Sequence, residues 1–163
     1  MLKVLDSNRL HLDRWLRWSS PLNSRDTVSQ FIRKYEALES DNAGYHLGLW
    51  FDGKLSGGVV CWGIDPANQS SEIGYWLSAS QTGKGYATRS SMALMEYLFA
   101  ERNLSRIEMQ CGVDNLASRA VAERCGLKLE GIRAQSHWIT DRFVDHALYG
   151  IVRDDFTPSL TAG

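Results

Sequence analysis

Residues 72–99 read EIGYWLSASQTGKGYATRSSMALMEYLF, and this stretch decides the fold. It begins with the composition of a β-strand, and the apolar spacing from Ala87 to about Arg102 predicts a helix. Between strand and helix lies QTGKGYA, in which Gly83 and Gly85 flank a lysine. Because glycine loses the most conformational freedom on folding, its repeated use here indicates either a tight turn or the close approach of a ligand.

The position of these glycines at the start of a helix favours a phosphate-binding loop. A helix N-terminus presents unpaired N–H groups and a partial positive charge, and glycine lets those groups close around phosphate oxygens. Gly83, Gly85 and Ala87 are therefore interpreted as a phosphate cradle, to which Lys84 adds charge. A P-loop requires Ser or Thr after its lysine, where this chain has Gly85, and a dinucleotide fingerprint requires glycine at Thr88. A plain glycine turn remains the alternative.

The residues before this stretch predict two helices and a β-hairpin. Apolar residues from Leu5 to Leu16 predict an amphipathic first helix that ends before Pro21, and residues 26–39 predict a second helix. The segments YHLGLWF and KLSGGVVCWGI lie on either side of the turn pair Asp52-Gly53, which is typical of a hairpin.

The residues after the stretch predict three strands and one helix. RIEMQCGV alternates apolar and polar residues as a half-buried strand does, and DNLASRAVAERCG predicts a short helix that Gly126 closes. Two final strands are expected near Leu127–Thr140 and Phe143–Val152, joined at Asp141-Arg142. The complete order is two helices, three strands, helix, strand, helix and two strands. It indicates a mixed α/β sheet with two crossover helices.

Length and composition exclude several classes of protein. The chain has 163 residues, a net charge of −1 and a sequence pI of about 6.4, so one domain over residues 1–163 without a broad nucleic-acid-binding surface is expected. No apolar run approaches the length of a membrane span. Cys61, Cys111 and Cys125 include no C-x-x-C pair, so neither a metal site nor a disulfide framework is expected. The reducing cytoplasm is the expected location.

The stretch at 72–99 resembles the acetyl-CoA-binding core of the GNAT N-acetyltransferases. DNLASRAVAERCGLKLEGIRAQ, DRFVDHALYGIV and RWLRW extend this likeness, and together they resemble the branch of ribosomal-protein N-terminal acetyltransferases that includes RimJ and RimL. The resemblance covers about Arg9 to Phe156. It implies the GNAT acyl-CoA N-acyltransferase fold, a central mixed β-sheet flanked by helices. The chain starts almost directly in a helix, so the usual first strand is expected to be missing.

This resemblance implies transfer of an acetyl group from acetyl-CoA to an amine, by direct attack in a ternary complex and without a metal. The expected acceptor is a protein N-terminal α-amine of the ribosomal-protein type. An α-amine has a pKa of about 8 and lysine about 10.4, so far more of the α-amine is neutral near pH 7. A small-molecule amine acetyltransferase and a non-catalytic acyl-CoA-binding regulatory module remain alternatives. No nucleic-acid or membrane partner is expected, and a bare sheet edge is compatible with a homo-oligomer.

The resemblance also assigns residues to the cofactor. Strand residues Ile73–Leu77 would splay from the parallel strand Ile107–Val113, and pantetheine would lie in the gap. Arg119 and Arg124 are candidates for contacts with the nucleotide phosphates. For several of these side chains ordinary packing or helix capping is an equally good explanation. The expected cofactor-binding residues are Tyr75, Leu77, Thr82, Gly83, Lys84, Gly85, Tyr86, Ala87, Thr88, Asn115 and Ser118.

Two side chains are assigned to catalysis by the same resemblance. Ser118 is the candidate to protonate the departing CoA thiolate. In RimL-like relatives a glutamate after the second crossover helix takes the proton of the amine, and the matching position here is His137. Histidine can accept a proton because its pKa near 6.5 leaves it mostly neutral at pH 7.5. Glu130 and Asp145 are the reserve candidates. The acceptor cleft is expected to be lined by Trp15, Trp18 and Trp138.

Overall fold

A computed structural model describes residues 1–158 of the chain. Within these residues the elements follow the predicted order, with the first helix divided in two. The helices are α1 Leu2–Asp6, α2 Arg9–Leu12, α3 Arg25–Ser40, α4 Tyr86–Ala100 and α5 Leu116–Arg124. The strands are β1 Gly44–Phe51, β2 Lys54–Asp65, β3 Ser70–Leu77, β4 Arg106–Gly112, β5 Lys128–Ile139 and β6 Arg142–Val152.

The six strands of the described residues form one mixed sheet in the order β1-β2-β3-β4-β6-β5, which confirms the predicted mixed α/β fold. All neighbours are antiparallel except β3 and β4, which are parallel and are joined through α4. Parallel neighbours require such a crossover connection. Within residues 1–158 the first element is the helix α1.

The parallel strands β3 and β4 separate halfway along their length. They pair only from Ser70–Arg106 to Ile73–Met109. Beyond that point β3 stays paired with β2 as far as Leu77, and β4 stays paired with β6 as far as Gly112. The predicted splay is therefore present, and it opens a wedge between the two central strands.

Helices cover both faces of the sheet. On one face α4 and α5 pack over the larger core, whose fully buried residues include Met95, Leu98 and Ile107. On the other face the N-terminal helices bury Leu5 and Leu12 against the sheet, near Trp76. Strand alternation sends successive side chains of β3 to opposite faces, so both layers contribute to the wedge. No helix of the described chain is long and apolar enough to cross a bilayer.

The first helix differs from the prediction, which placed a single helix over the residues from Leu5 to Leu16. Asn8 interrupts it with φ −127° and ψ 15°, while its Nδ2 donates to the carbonyl of Val4 at 2.8 Å. Asn side chains compete with helical backbone hydrogen bonds in this way. The Oδ1 of Asn8 accepts from the N–H of Ala79 at 2.8 Å, and this bond ties the N-terminal segment to the loop after β3.

Hairpin turns close both ends of the sheet. Asp52 and Gly53 have φ values of 49° and 71°, as expected for the predicted two-residue turn. The sequence predicted that β5 and β6 are joined at Asp141-Arg142, which is one residue too late. In the structure Ile139 pairs with Arg142, so the turn residues are Thr140 and Asp141. Thr140 has a φ of 58°, a conformation that a β-branched residue rarely adopts, so no sequence signal indicated it.

Candidate functional site

A cavity of about 830 Å³ occupies the wedge and reaches both faces of the sheet. From one face it is lined by the glycine loop and by the starts of α4 and α5. From the other it is lined by α3 and by the segment that follows α2. All the expected cofactor-binding residues except Lys84 line this cavity. The Lys84 side chain is exposed, and its Nζ donates to Oε1 of Gln81 at 3.0 Å, so it lies outside the cavity wall.

The glycine loop has the backbone that a phosphate cradle requires. Gly83 and Gly85 have φ values of 73° and 77°, which other L-residues adopt only with strain. A Cβ added at either position would meet no protein atom within 4 Å, so the space beside the loop is open. Gly85 is the N-cap of α4 and no side chain caps the helix. The first N–H groups of α4 are thus available to an anion.

The start of α5 forms the second part of the same wall. Asn115 caps the helix, since its Oδ1 accepts from the N–H of Ser118 at 3.2 Å. The Tyr75 hydroxyl donates to Oγ of Ser118 at 3.1 Å. Burial raises the pKa of Tyr75 to about 12, so its hydroxyl stays protonated. The Ser118 oxygen therefore accepts a hydrogen bond from a tyrosine that stays protonated. The Ser118 hydroxyl can donate its own proton to another acceptor.

The two candidate arginines of α5 have different surroundings. Arg119 turns into the protein, where its Nε donates to the Tyr149 hydroxyl at 2.9 Å. Arg124 lines the cavity, and its Nε donates to Oγ1 of Thr88 at 3.2 Å. The expected phosphate contact therefore fits Arg124, whereas Arg119 does not line the cavity and its role stays a prediction.

On the opposite face the cavity wall contains a half-buried carboxylate, Glu72. Burial raises the pKa of Glu72 to about 7, although Gln110 donates from Nε2 to its Oε2 at 2.9 Å. The Oε1 of Gln110 is buried and has no hydrogen-bond partner among the described residues. Glu72 is the only carboxylate among the described residues that line the cavity. A carboxylate with this pKa is half ionised near neutral pH and is suited to accept a proton.

The motifs discussed above do not single out Glu72, yet a signal was present. In a strand, residues two apart share a face, so Glu72 shares a face with Gly74 and Trp76, opposite Tyr75. An acidic residue is unusual on a strand face that also carries a buried tryptophan. It indicates either that the strand assignment is wrong or that the carboxylate has a function. The pKa of Glu72 depends on how far the folded protein buries the carboxylate. The strand pattern alone does not contain that information.

His137 also reaches the cavity, where its ring stacks on that of His146. The ring centroids are 3.7 Å apart and the planes differ by 5°. Burial, followed by the charges of Arg17 and Arg133, lowers the pKa of His137. Burial, with His137 and Arg133, lowers the pKa of His146 to about 4. Both rings are therefore neutral near pH 7.

The reserve candidates lie outside the cavity. Glu130 accepts hydrogen bonds from the guanidinium of Arg106, which lowers its pKa and makes it a poor base. Asp145 accepts from the N–H of Gln135 at 2.7 Å and thereby supports the β5–β6 pair. Trp138 is 47% exposed and packs on Phe143 instead of lining the cleft, so its expected role was wrong.

Aromatic side chains form the remaining wall on the Glu72 face. Trp15 and Trp18 line the cavity as expected, and the ring of Trp15 packs against the backbone of Gly112, where a Cβ would meet it at 3.3 Å. His46 accepts from Nε1 of Trp76 at 3.2 Å, and burial lowers its pKa to about 4. Within the described residues no group of His, Cys, Asp or Glu could hold a metal ion.

Comparisons with known proteins agree on one class of protein. A family model described as an acetyltransferase (GNAT) domain matches residues 3–128. The ribosomal-protein-serine acetyltransferase of Escherichia coli (strain K12) is 27% identical over 154 residues, which cover 94% of this chain and 86% of that protein.

Solved structures of acetyltransferases are similar in fold. RimL, a ribosomal alpha-N-protein acetyltransferase in complex with coenzyme A, aligns with a TM-score of 0.89 at 26% identity, over 94% of this chain and 86% of its own. MccE, a microcin self-immunity acetyltransferase in complex with acetyl-CoA and AMP, aligns with a TM-score of 0.85 at 29% identity, over 93% and 84% of the two chains.

Proposed function

The chain belongs to the GNAT acetyltransferase family, and on this premise we propose that it transfers the acetyl group of acetyl-CoA to a protein N-terminal α-amine. The observation that carries the proposal is the cavity through the sheet. It has a cradle for phosphates on one face and a carboxylate with a pKa of about 7 on the other. Two substrates can therefore meet in the wedge from opposite sides and react directly.

The cofactor half of the cavity fits acetyl-CoA. The N–H groups at the start of α4 and the guanidinium of Arg124 would hold the pyrophosphate, and the free edge of β3 from Gly74 to Leu77 would hold the pantetheine arm. When bound there, acetyl-CoA supplies the thioester that is attacked. The Ser118 hydroxyl, backed by Tyr75, donates a proton or a hydrogen bond to the leaving sulfur.

The acceptor half contains two side chains that could take the proton of the amine. Glu72 is held by Gln110, and its pKa of about 7 matches the pH at which the reaction must run. The pKa of His137 is lowered, which makes that ring a weaker base than free histidine. We therefore place Glu72 first as the general base, acting directly or through one water. The assignment to His137 stays a prediction to be tested.

The acceptor class rests on chemistry and on the relatives. The Escherichia coli relative is named for a ribosomal-protein serine, and RimL for alpha-N acetylation of a ribosomal protein. An α-amine is deprotonated far more often than a lysine side chain at neutral pH, since their pKa values are about 8 and 10.4. We propose a ribosomal-protein-type N-terminus as the acceptor.

A transfer screen tests this function. Acetyl-CoA would be offered with N-terminal peptides of ribosomal proteins, polyamines and free amino acids, and release of CoA would be followed. We expect the fastest turnover with peptides that have a free α-amine. Turnover on polyamines or amino acids alone would assign the chain to small-molecule acetylation. Thermal stabilisation by acetyl-CoA without turnover on any amine would identify a non-catalytic acyl-CoA-binding module.

The glycine loop can be tested with a matched pair of substitutions. Gly85→Val places a side chain where the pyrophosphate must approach, so we expect the affinity for acetyl-CoA to fall at least tenfold, about 1.4 kcal/mol. Gly53→Val is the control, because Gly53 has a φ of 71°, no neighbour within 4 Å of an added Cβ and a position outside the cavity. Calorimetric titration should show lost affinity in the first variant only. Unchanged affinity in both would remove the loop from the site.

His137→Ala tests the assignment of the base. We expect acetyl-CoA to bind normally and the fall in rate below about pH 7 to persist, because Glu72 remains. The measurement is kcat/KM for one peptide between pH 5 and 9, compared with wild type. A profile that loses its low-pH limb only in this variant would assign the base to His137. Deprotonation of the amine itself also produces a rising limb, so the comparison between variants decides.

A further inference from the structure

Two arginines near the acceptor side of the cavity form no ion pair with a carboxylate among the described residues. Arg17 lines the cavity rim, and Arg133 projects from β5 close enough for its charge to act on Glu72, His137 and His146. Within residues 1–158 neither guanidinium forms a hydrogen bond, an ion pair or a ring contact. We call Arg17, Arg133, His137 and His146 the cationic corner.

The histidines of the corner have unused hydrogen-bonding capacity. His146 is only 8% exposed, lines the cavity, and has no hydrogen-bond partner for either ring nitrogen among the described residues. Its Nδ1 is fully enclosed. A neutral imidazole always carries one N–H donor, and buried polar groups of folded proteins nearly always have a partner. Arg133 pairs with His146 across β5 and β6, and Arg17 acts on the stacked His137, so this unpaired, buried histidine lies in a cluster that a ligand would complete.

The ligand that fits these groups is an anion. The corner offers donors and positive charge and contains no carboxylate, whereas Glu72 is bonded to Gln110 on the neighbouring strand. A carboxylate that accepts hydrogen bonds from Arg matches the planar geometry of the guanidinium group. The side chains of Arg17 and Arg133 are exposed, so the corner opens to solvent there. An acceptor peptide that leaves the cavity could pass between them.

We infer that the cationic corner binds a carboxylate of the acceptor that lies one or two residues after the acetylated amine, so that acidic peptide N-termini are preferred. This inference rests on the proposed function. The amine would lie against Glu72 and the free Oε1 of Gln110, and the acidic side chain would reach the corner. The charge of Arg133 acts on Glu72, so the two anchor points lie near each other, and an extended peptide that advances about 3.3 Å per residue would reach both within its first residues.

The first test compares two peptides that begin with serine and differ only at the second residue, Asp or Asn. We expect wild-type protein to prefer the Asp peptide in kcat/KM on the order of tenfold, mainly through KM. Arg17→Gln and Arg133→Gln should each remove most of this preference. Arg14→Gln is the matched control, because Arg14 lies in the same segment, stacks on Trp15 and does not line the cavity. It should keep the preference.

The second test does not depend on catalysis. The pKa of the His137 ring would be measured by NMR in the presence of the acetylated forms of both peptides, with His137→Ala to assign the signal. Bound carboxylate should raise the pKa of His137, whereas the acetylated Asn peptide should leave it unchanged.

The outcomes separate the inference from the proposed function. Equal kcat/KM for both peptides, a preference that survives both arginine substitutions, or no change in the pKa of His137 would each overturn the inference. Acetylation of both peptides at equal rates would leave the proposed function standing. A raised pKa of His137 without acetylation of any peptide would support the corner and overturn the function.

Discussion

Replacing Glu72 with glutamine is expected to lower kcat for peptide acetylation by about 10²- to 10⁴-fold, the usual contribution of a general base. Glutamine has the same shape and can keep the contact with Gln110, but it cannot accept the proton of the amine. The Kd of acetyl-CoA should stay within about twofold of wild type, because Glu72 lies on the opposite face of β3 from the glycine loop. Steady-state kinetics and calorimetry measure the two quantities.

The pH dependence of the same variant provides the control. Wild-type kcat/KM should fall as the pH drops through about 7, where Glu72 becomes protonated, and in Glu72→Gln only the limb that comes from the amine itself, at about pH 8, should remain. Because the folded-state pKa is raised, the folded protein binds more protons than the unfolded chain above about pH 4.5, and stability falls as the pH rises to about 7. The variant should therefore have a higher Tm than wild type at pH 8 and the same Tm below pH 4.5. Normal turnover in Glu72→Gln would contradict the assignment.

Replacing Ser118 with alanine is expected to lower kcat by about 10²- to 10⁴-fold, as for the loss of a general acid. The substitution removes the hydroxyl that would serve the leaving sulfur and leaves the Tyr75 hydroxyl without its acceptor. Binding of acetyl-CoA should change much less, since the backbone N–H groups of α4 hold most of the cofactor. The measurement is kcat for one peptide together with the Kd of acetyl-CoA.

Tyr75→Phe is the companion variant for Ser118→Ala. It removes the donor behind Ser118 but leaves the serine hydroxyl in place, so a smaller loss of kcat is expected. Equal losses in the two variants would show that the tyrosine supplies the proton through the serine. Near-normal turnover in Ser118→Ala would return Ser118 to a packing role at the start of α5 and leave water as the acid.

The order of elements was predictable because its signals are local. Helix α3 was expected over residues 26–39 and runs over Arg25–Ser40, and its start is fixed by a capping box between Ser24 and Thr27. The glycine loop, the Asp52-Gly53 turn and the alternation in β4 are equally short-range signals. The first helix failed because Asn8 forms a bond to Ala79, a partner 71 residues away.

The cofactor half of the site was more predictable than the acceptor half. Backbone groups bind there, and backbone position follows from strand, loop and helix. The acceptor half depends on side-chain direction and burial, which arise from tertiary packing. Lys84 has the right charge in the right loop, yet its ammonium bonds to Gln81 and it does not line the cavity. Glu72 looks like an ordinary strand residue, and only its partial burial in the folded protein raises its pKa.

The passage through the sheet separates the two proton transfers of the proposed reaction. Glu72 collects a proton on one face, and Ser118 delivers a proton on the other. Because the two groups lie on opposite faces of β3, the proton that Glu72 would collect need not be the proton that Ser118 would deliver. Each face then exchanges protons with its own side of the solvent. The low-pH limb of the rate profile would then report on the acceptor face alone, because a serine hydroxyl does not ionise in the working pH range.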